Sequence, residues 1–160
     1  TSSQTLRICG IIMWIVFGAT ALIGVYNFFG GAAYVTSSIN ALGVSPIAIL
    51  LMMMFILFVL GMFLDWIGIL LLTMPIFVPI FVGLGYDPIW FGVLFTMNMQ
   101  MSYLTPPFGP AAFYLKGVAP AEITMSDIYS SFWPFITIQA FAIALLITFP
   151  EIALWLPSVI

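Results

Sequence analysis

PIAILLMMMFILFVLGMFLDWIGILLLTMPIFVPIFVGL, residues 46–84, contains one charged side chain, Asp65, in 39 positions. As a single straight helix it would run about 58 Å, nearly twice the roughly 30 Å hydrocarbon core of a bilayer. The segment must therefore fold back or break. Its weak points are Gly61, the Asp65-Trp66-Ile67-Gly68 region, Pro75 and Pro79. Ser45-Pro46 opens the segment and Asp87-Pro88 follows it. Each places a capping-type residue before a proline at the first helical position, where the missing N–H does no harm.

The rest of the 160 residues has the same character. Hydrophobic residues make up 64% of the chain, against roughly 45–50% in soluble domains. Charged residues make up 4%, against about 25% in soluble domains. They are Arg7, Lys116, Asp65, Asp87, Glu122, Asp127 and Glu151, too few to cover this surface in water. The expected class is an all-α integral membrane protein, a polytopic helical bundle. Histidine is absent, which removes the usual general base, zinc ligand and nucleophile partner. Cys9 is alone, so no disulfide forms within the chain, and two basic residues make no nucleic-acid footprint. An intramembrane aspartyl protease would need Asp65 and Asp87, and Asp87 sits at a helix start, a poor place for a buried catalytic carboxylate. The sequence reads as a non-enzyme. Thr1-Ser2-Ser3-Gln4 opens it without an initiator Met, and we expect the C-terminal piece of a longer polypeptide.

Outward from the central segment, the apolar stretches are 8–29, 46–84, 88–115 and 132–149. The first fits either one crossing or a re-entrant hairpin turning at Gly18-Ala19-Thr20; periodicity does not separate them. Gly30 to Ser45 reads as a connection at the membrane surface. Pro88 to Leu104, about 25 Å of helix, is stopped by Thr105-Pro106-Pro107, so 88–115 is broken near 105–107. Lys116 to Ser131 contains Thr124-x-x-Asp127, similar to a capping box, and predicts a short interfacial helix. Pro150-Glu151 closes the last span, with Trp155 suited to the interface. Lys116, the one basic residue in an interior loop, places that loop in the cytoplasm.

The chemistry concentrates around Leu104-Thr105-Pro106-Pro107-Phe108-Gly109-Pro110. A proline has no N–H for the carbonyl four residues back, so Pro106 frees the Ser102 carbonyl and Pro107 that of Tyr103. Free carbonyls are not tolerated against lipid. With the Thr105 hydroxyl they would line a cation or substrate site; the plain alternative is a turn at the membrane surface. Asn98, Gln100 and Ser102 lie in the helix before the break. At about 100° per residue Asn98 and Ser102 share a face and Gln100 opposes it. Such residues line pathways or tie helices together. Asp65 with Gly61 is the second candidate, either an intramembrane acid or an interfacial turn beside Trp66. Gly18-Ala19-Thr20 is a third, where small residues more often pack helices.

Gly61-Met62-Phe63-Leu64-Asp65, Leu72-Thr73-Met74-Pro75-Ile76-Phe77-Val78-Pro79-Ile80 and Asp87-Pro88-Ile89-Trp90-Phe91-Gly92-Val93 occur in that order. Thr105-Pro106-Pro107-Phe108-Gly109 and Phe149-Pro150-Glu151 through Leu156-Pro157 follow. Together they resemble the C-terminal part of the large membrane subunit of TRAP (tripartite ATP-independent periplasmic) transporters, over essentially the whole chain. The resemblance implies a sodium-driven importer of organic acids in the bacterial inner membrane. Its fold would be half of an inverted repeat, with a re-entrant hairpin and discontinuous helices. Ile8–Phe29 is then the hairpin candidate, and Gly61–Asp65 and Thr105–Pro107 help form sodium and substrate sites. The resemblance also implies a small membrane subunit, a periplasmic solute-binding protein and an organic acid as partners, with sodium as coupling ion and no cofactor. A channel segment, the competing reading, would need a continuous polar lining; a structural membrane subunit without its own transport site is the other.

Overall fold

The computed structural model describes residues 2–31, 33, 34, 37, 43–64, 66–107, 109–120 and 122–159. Among these residues the fold is all helical. The elements are α1 (Ser2–Phe28), α2 (Pro46–Phe63), α3 (Trp66–Gly83), α4 (Pro88–Leu104), α5 (Pro110–Val118), α6 (Met125–Thr148) and α7 (Glu151–Val159). Three of them, α2, α3 and α6, are long and apolar enough to cross a membrane. Their outer faces stay apolar, as with Phe55 on α2 and Phe141 on α6, which suits lipid rather than water.

The long apolar segment folds back between the end of α2 at Phe63 and the start of α3 at Trp66. Leu64 is extended and its N–H closes α2 on the Leu60 carbonyl at 2.8 Å. Asp65 itself lies outside the described residues. Met54 and Gly61 of α2 meet Asn98 and Ser102 of α4, so those two helices run parallel. Phe81 of α3 meets Phe91, and Trp66 lines a cavity with Tyr103, so α3 runs antiparallel to α4. The helices α2 and α3 are thus the arms of a helical hairpin. Pro75 and Pro79 stay inside a continuous α3.

The hairpin therefore lies at 46–83 and not at 8–29. The structure draws α1 as one helix through Gly18-Ala19-Thr20, the continuous alternative of the two left open for 8–29 and not the hairpin that the resemblance implied. Thr20 donates to the Val16 carbonyl at 2.8 Å within the helix, and one mid-helix glycine costs only about 1 kcal/mol. A second correction concerns 116–131. Thr124 and Asp127 do form a capping box, with the Thr124 N–H on Asp127 at 2.9 Å and the Asp127 N–H on Thr124 at 3.2 Å. That box opens the long α6 instead of a separate interfacial helix.

The caps explain most other boundaries. Asp87 accepts from the Ile89 N–H at 2.7 Å and starts α4. Ser45 occupies the equivalent place before α2, without a side-chain cap bond. At the far end, Pro150 has no N–H for the Leu146 carbonyl. The indole N–H of buried Trp90 supplies the missing donor at 2.8 Å, tying α4 to α6. Trp90→Phe orphans that carbonyl and is expected to destabilise the fold by about 1–2 kcal/mol. Thermal unfolding in detergent measures the loss, and adding Pro150→Ala, which restores an N–H, recovers it in part.

The core is built around α4. Leu50, Leu57, Ile69, Phe81, Phe91 and Leu94 are fully buried there, so both hairpin arms pack on the helix that leads into the break.

Candidate functional site at the hairpin tip and the helix break

The helix α4 ends where the prolines require it to. Thr105 is extended, and Pro106-Pro107, joined by a cis peptide bond, offer no N–H to continue the ladder. The chain resumes as α5 at Pro110 after Gly109, whose φ of 22° leaves the ordinary range for L residues. A Cβ on Gly109 would lie 3.1 Å from the Thr105 carbonyl oxygen and 3.2 Å from the Tyr129 ring. Glycine therefore lets the break close tightly. Tyr129 of α6 donates its hydroxyl to the Pro107 carbonyl at 3.2 Å and holds the break from the side.

The hairpin tip sits on the approach to this break. Gly61 is buried, and a Cβ added to it would overlap the Ser102 side chain, coming 2.8 Å from the Ser102 Cβ. One turn earlier, buried Asn98 donates Nδ2 to the Met54 carbonyl at 2.9 Å. Asn98 and Ser102 thus share the face turned to α2, as their spacing requires. Such a helix–helix bond in a membrane averages about 0.6 kcal/mol. It specifies how the hairpin registers on α4 more than how strongly it binds.

The oxygens around the break are partly committed. The Ser102 carbonyl, expected to be freed by Pro106, accepts the Thr105 N–H at 3.1 Å. This is a correction: the last turn tightens to an i→i+3 bond, a common way to satisfy terminal carbonyls. The Ser102 hydroxyl donates to the Met99 carbonyl at 3.0 Å and the Thr105 hydroxyl to that of Met101 at 2.7 Å. Each hydroxyl spends its proton and keeps lone pairs for a further donor or a cation. Among the described residues no group of three His, Cys, Asp or Glu could hold a metal. The chemistry the described residues offer here is that of neutral oxygens.

On the other side of α4 opens a cavity of about 570 Å³. Trp66 of α3, Phe95, Gln100 and Tyr103 of α4 and Gln139 of α6 are among its walls. Gln100, on the face opposite Asn98 and Ser102, looks into it. The Gln139 Oε1 is buried without a hydrogen-bond partner, which leaves an amide oxygen unsatisfied at a cost of about 1–3 kcal/mol. In the sequence Trp66 stood out only as the interfacial neighbour of Asp65, and Gln139 did not stand out. Gln139 is the one amide between Phe132 and Phe149, and that isolation was the available signal.

Of the remaining candidates, Gly61, Asn98, Ser102, Tyr103, Thr105, Pro106 and Pro107 come together at this junction. Gly18 and Thr20 do not: they are exposed on α1, which packs chiefly against α3. The Ala19 side chain lies outside the described residues, as Asp65 does.

A family model described as the tripartite ATP-independent periplasmic transporter, DctM component, matches residues 2–152. The chain belongs to the TRAP transporter large permease family. It is 29% identical over 150 residues to the C4-dicarboxylate TRAP transporter large permease protein DctM of Vibrio cholerae, covering 94% of this chain and 33% of that protein. It is 31% identical to the sialic acid TRAP transporter permease protein SiaT of Haemophilus influenzae, covering 98% of this chain and 25% of that protein. The ectoine TRAP transporter large permease protein TeaC of Halomonas elongata is 32% identical over 92% of this chain and 35% of its own length. The chain thus spans about a third or less of the curated relatives it matches. This TRAP permease chain is a multi-pass membrane protein of a transporter family, not an enzyme.

Proposed function

We propose that this TRAP permease chain is the C-terminal transmembrane part of a sodium-coupled secondary transporter. The complete protein would import an organic acid of the dicarboxylate, keto-acid or sugar-acid class across the bacterial inner membrane. A periplasmic solute-binding protein would deliver the acid, and a small membrane subunit would complete the permease. The relatives named for C4-dicarboxylates, sialic acid and ectoine support a small polar solute.

The observation that carries this reading is the seating of Gly61, at the hairpin tip, on Ser102, three residues before Thr105-Pro106-Pro107. Carriers hold ions and substrates where helices are interrupted, because half-helix ends and unwound backbone supply ligands there. Sodium, as cargo, would meet neutral oxygens: the Ser102 and Thr105 hydroxyls and the Tyr103 backbone carbonyl, with further ligands from the rest of the permease. The hairpin tip covers this place from one side, so a movement of the tip would open or close it.

The test is uptake of a radiolabelled acid by the complete transporter in proteoliposomes, with its binding protein supplied. An inward sodium gradient is expected to raise the initial rate at least about tenfold, a differential of about 1.4 kcal/mol. A passive pore would equilibrate the acid whatever the sodium gradient, and that outcome overturns the carrier reading.

A further inference from the structure

We propose that the cavity between α3, α4 and α6 is a subsite for the hydroxyl-bearing, uncharged part of a sugar acid. In it the Gln100 and Gln139 amides make the hydrogen bonds, and Trp66, Phe95 and Tyr103 form the walls. The proposal rests on the carrier reading above and names the solute class that the carrier takes.

Size and lining come first. A volume of about 570 Å³ lies within the usual range of ligand pockets, about 300–1,000 Å³, which are mostly apolar with a few convergent polar groups. Among the described residues no Asp, Glu, Lys or Arg lines it, so none of them pairs with a carboxylate by charge. The acid group belongs elsewhere, on the ion or on the rest of the permease.

The unsatisfied Gln139 oxygen identifies the occupant. It is buried without a partner, and a donor entering the cavity relieves it once the amide turns to meet that donor. A lipid tail brings no donor. An ionised dicarboxylate only accepts hydrogen bonds, whereas a hydroxyl both donates and accepts, as an amide does. Thr96, also in the lining, spends its proton on the Gly92 carbonyl at 2.9 Å and is left to accept. The Gln100 and Gln139 amides and the Thr96 oxygen, sharing the lining with aromatic residues, match a chain of hydroxylated carbons.

The place fits a carrier as well. Trp66 is the first residue of α3 after the hairpin turn, and Tyr103 precedes the break by two residues. A solute in the cavity and an ion at the break would share the end of α4.

The experiment uses the complete permease with its small subunit in proteoliposomes, with every native cysteine, Cys9 included, replaced by Ser and Thr96→Cys introduced. A water-soluble methanethiosulfonate reagent labels the introduced thiol, with gluconate or succinate as the probe. Gluconate is expected to slow labelling at least about fivefold at saturation, and succinate is not. Gln139→Leu and, separately, Gln100→Leu are expected to raise the half-protecting gluconate concentration at least about tenfold, the loss of a hydrogen bond to a hydroxyl. Leucine at 139 removes an unsatisfied oxygen and keeps the volume, and Gln100 is exposed, so both variants should fold; melting temperatures no lower than wild type verify it. Gluconate without protection, succinate protecting equally, or Gln139→Leu leaving gluconate protection unchanged overturns the subsite. Transport indifferent to sodium, with gluconate protection intact, counts against the carrier reading alone.

Discussion

Gly61→Ala is expected to cut sodium-driven uptake by the assembled transporter at least about tenfold, matching an overpacking cost of about 1–3 kcal/mol. The added methyl would overlap the Ser102 side chain and come within 3.4 Å of the Met99 Cε. Met99 can give way, being flexible. Ser102 cannot, because it is fully buried and bonded to its own helix at the Met99 carbonyl. The hairpin tip must therefore lift from α4, opening the covered side of the proposed ion site. Ser102→Gly in the same chain returns the space. The double variant is expected to regain the wild-type melting temperature, yet only part of the uptake, since the Ser102 hydroxyl is lost as an ion ligand. Wild-type uptake and stability in Gly61→Ala alone would mean that the tip is not seated on Ser102.

Much of this architecture could be read from single residues. Thirty-nine nearly uncharged positions exceed any membrane, and the reversal falls between Phe63 and Trp66, where the sequence offers the Asp65-Trp66-Ile67-Gly68 region as a weak point. The spacing of Asn98 and Ser102 put them on one face, and the structure turns that face to α2. Asp87 and the Thr124–Asp127 pair cap helices as their positions require. The misreadings have physical causes. Small residues at 18–20 looked like a hairpin tip, yet glycine and alanine are also compatible with a continuous packed helix. The capping box was found, but hydropathy starting at Phe132 hid the polar first turns of the same helix. Local bookkeeping of i→i−4 bonds freed the Ser102 carbonyl, and a tightened last turn recaptured it. The cavity was invisible because Trp66, Gln100 and Gln139 are brought together only by the hairpin and the packing of α6.

The central claim is that sodium is bound where the proline break interrupts α4, and the Pro106→Ala/Pro107→Ala variant tests it most directly. Two restored N–H groups would let α4 continue, offering donors to the Ser102 and Tyr103 carbonyls. Thr105 would become helical and lose its extended geometry, moving its hydroxyl away from the ion. Folding and insertion should survive, since alanine is the better helix former by about 3 kcal/mol in a helix interior. Thr105→Val keeps the break and removes one ligand, so its effect should be smaller. The measurement is the sodium half-saturation of uptake in proteoliposomes containing the complete transporter. The double variant is predicted to insert normally and to require at least about tenfold more sodium, the loss of about 1.4 kcal/mol of binding. A normally inserted double variant with wild-type half-saturation would contradict the account and leave Thr105–Pro107 as a turn without a role in ion binding.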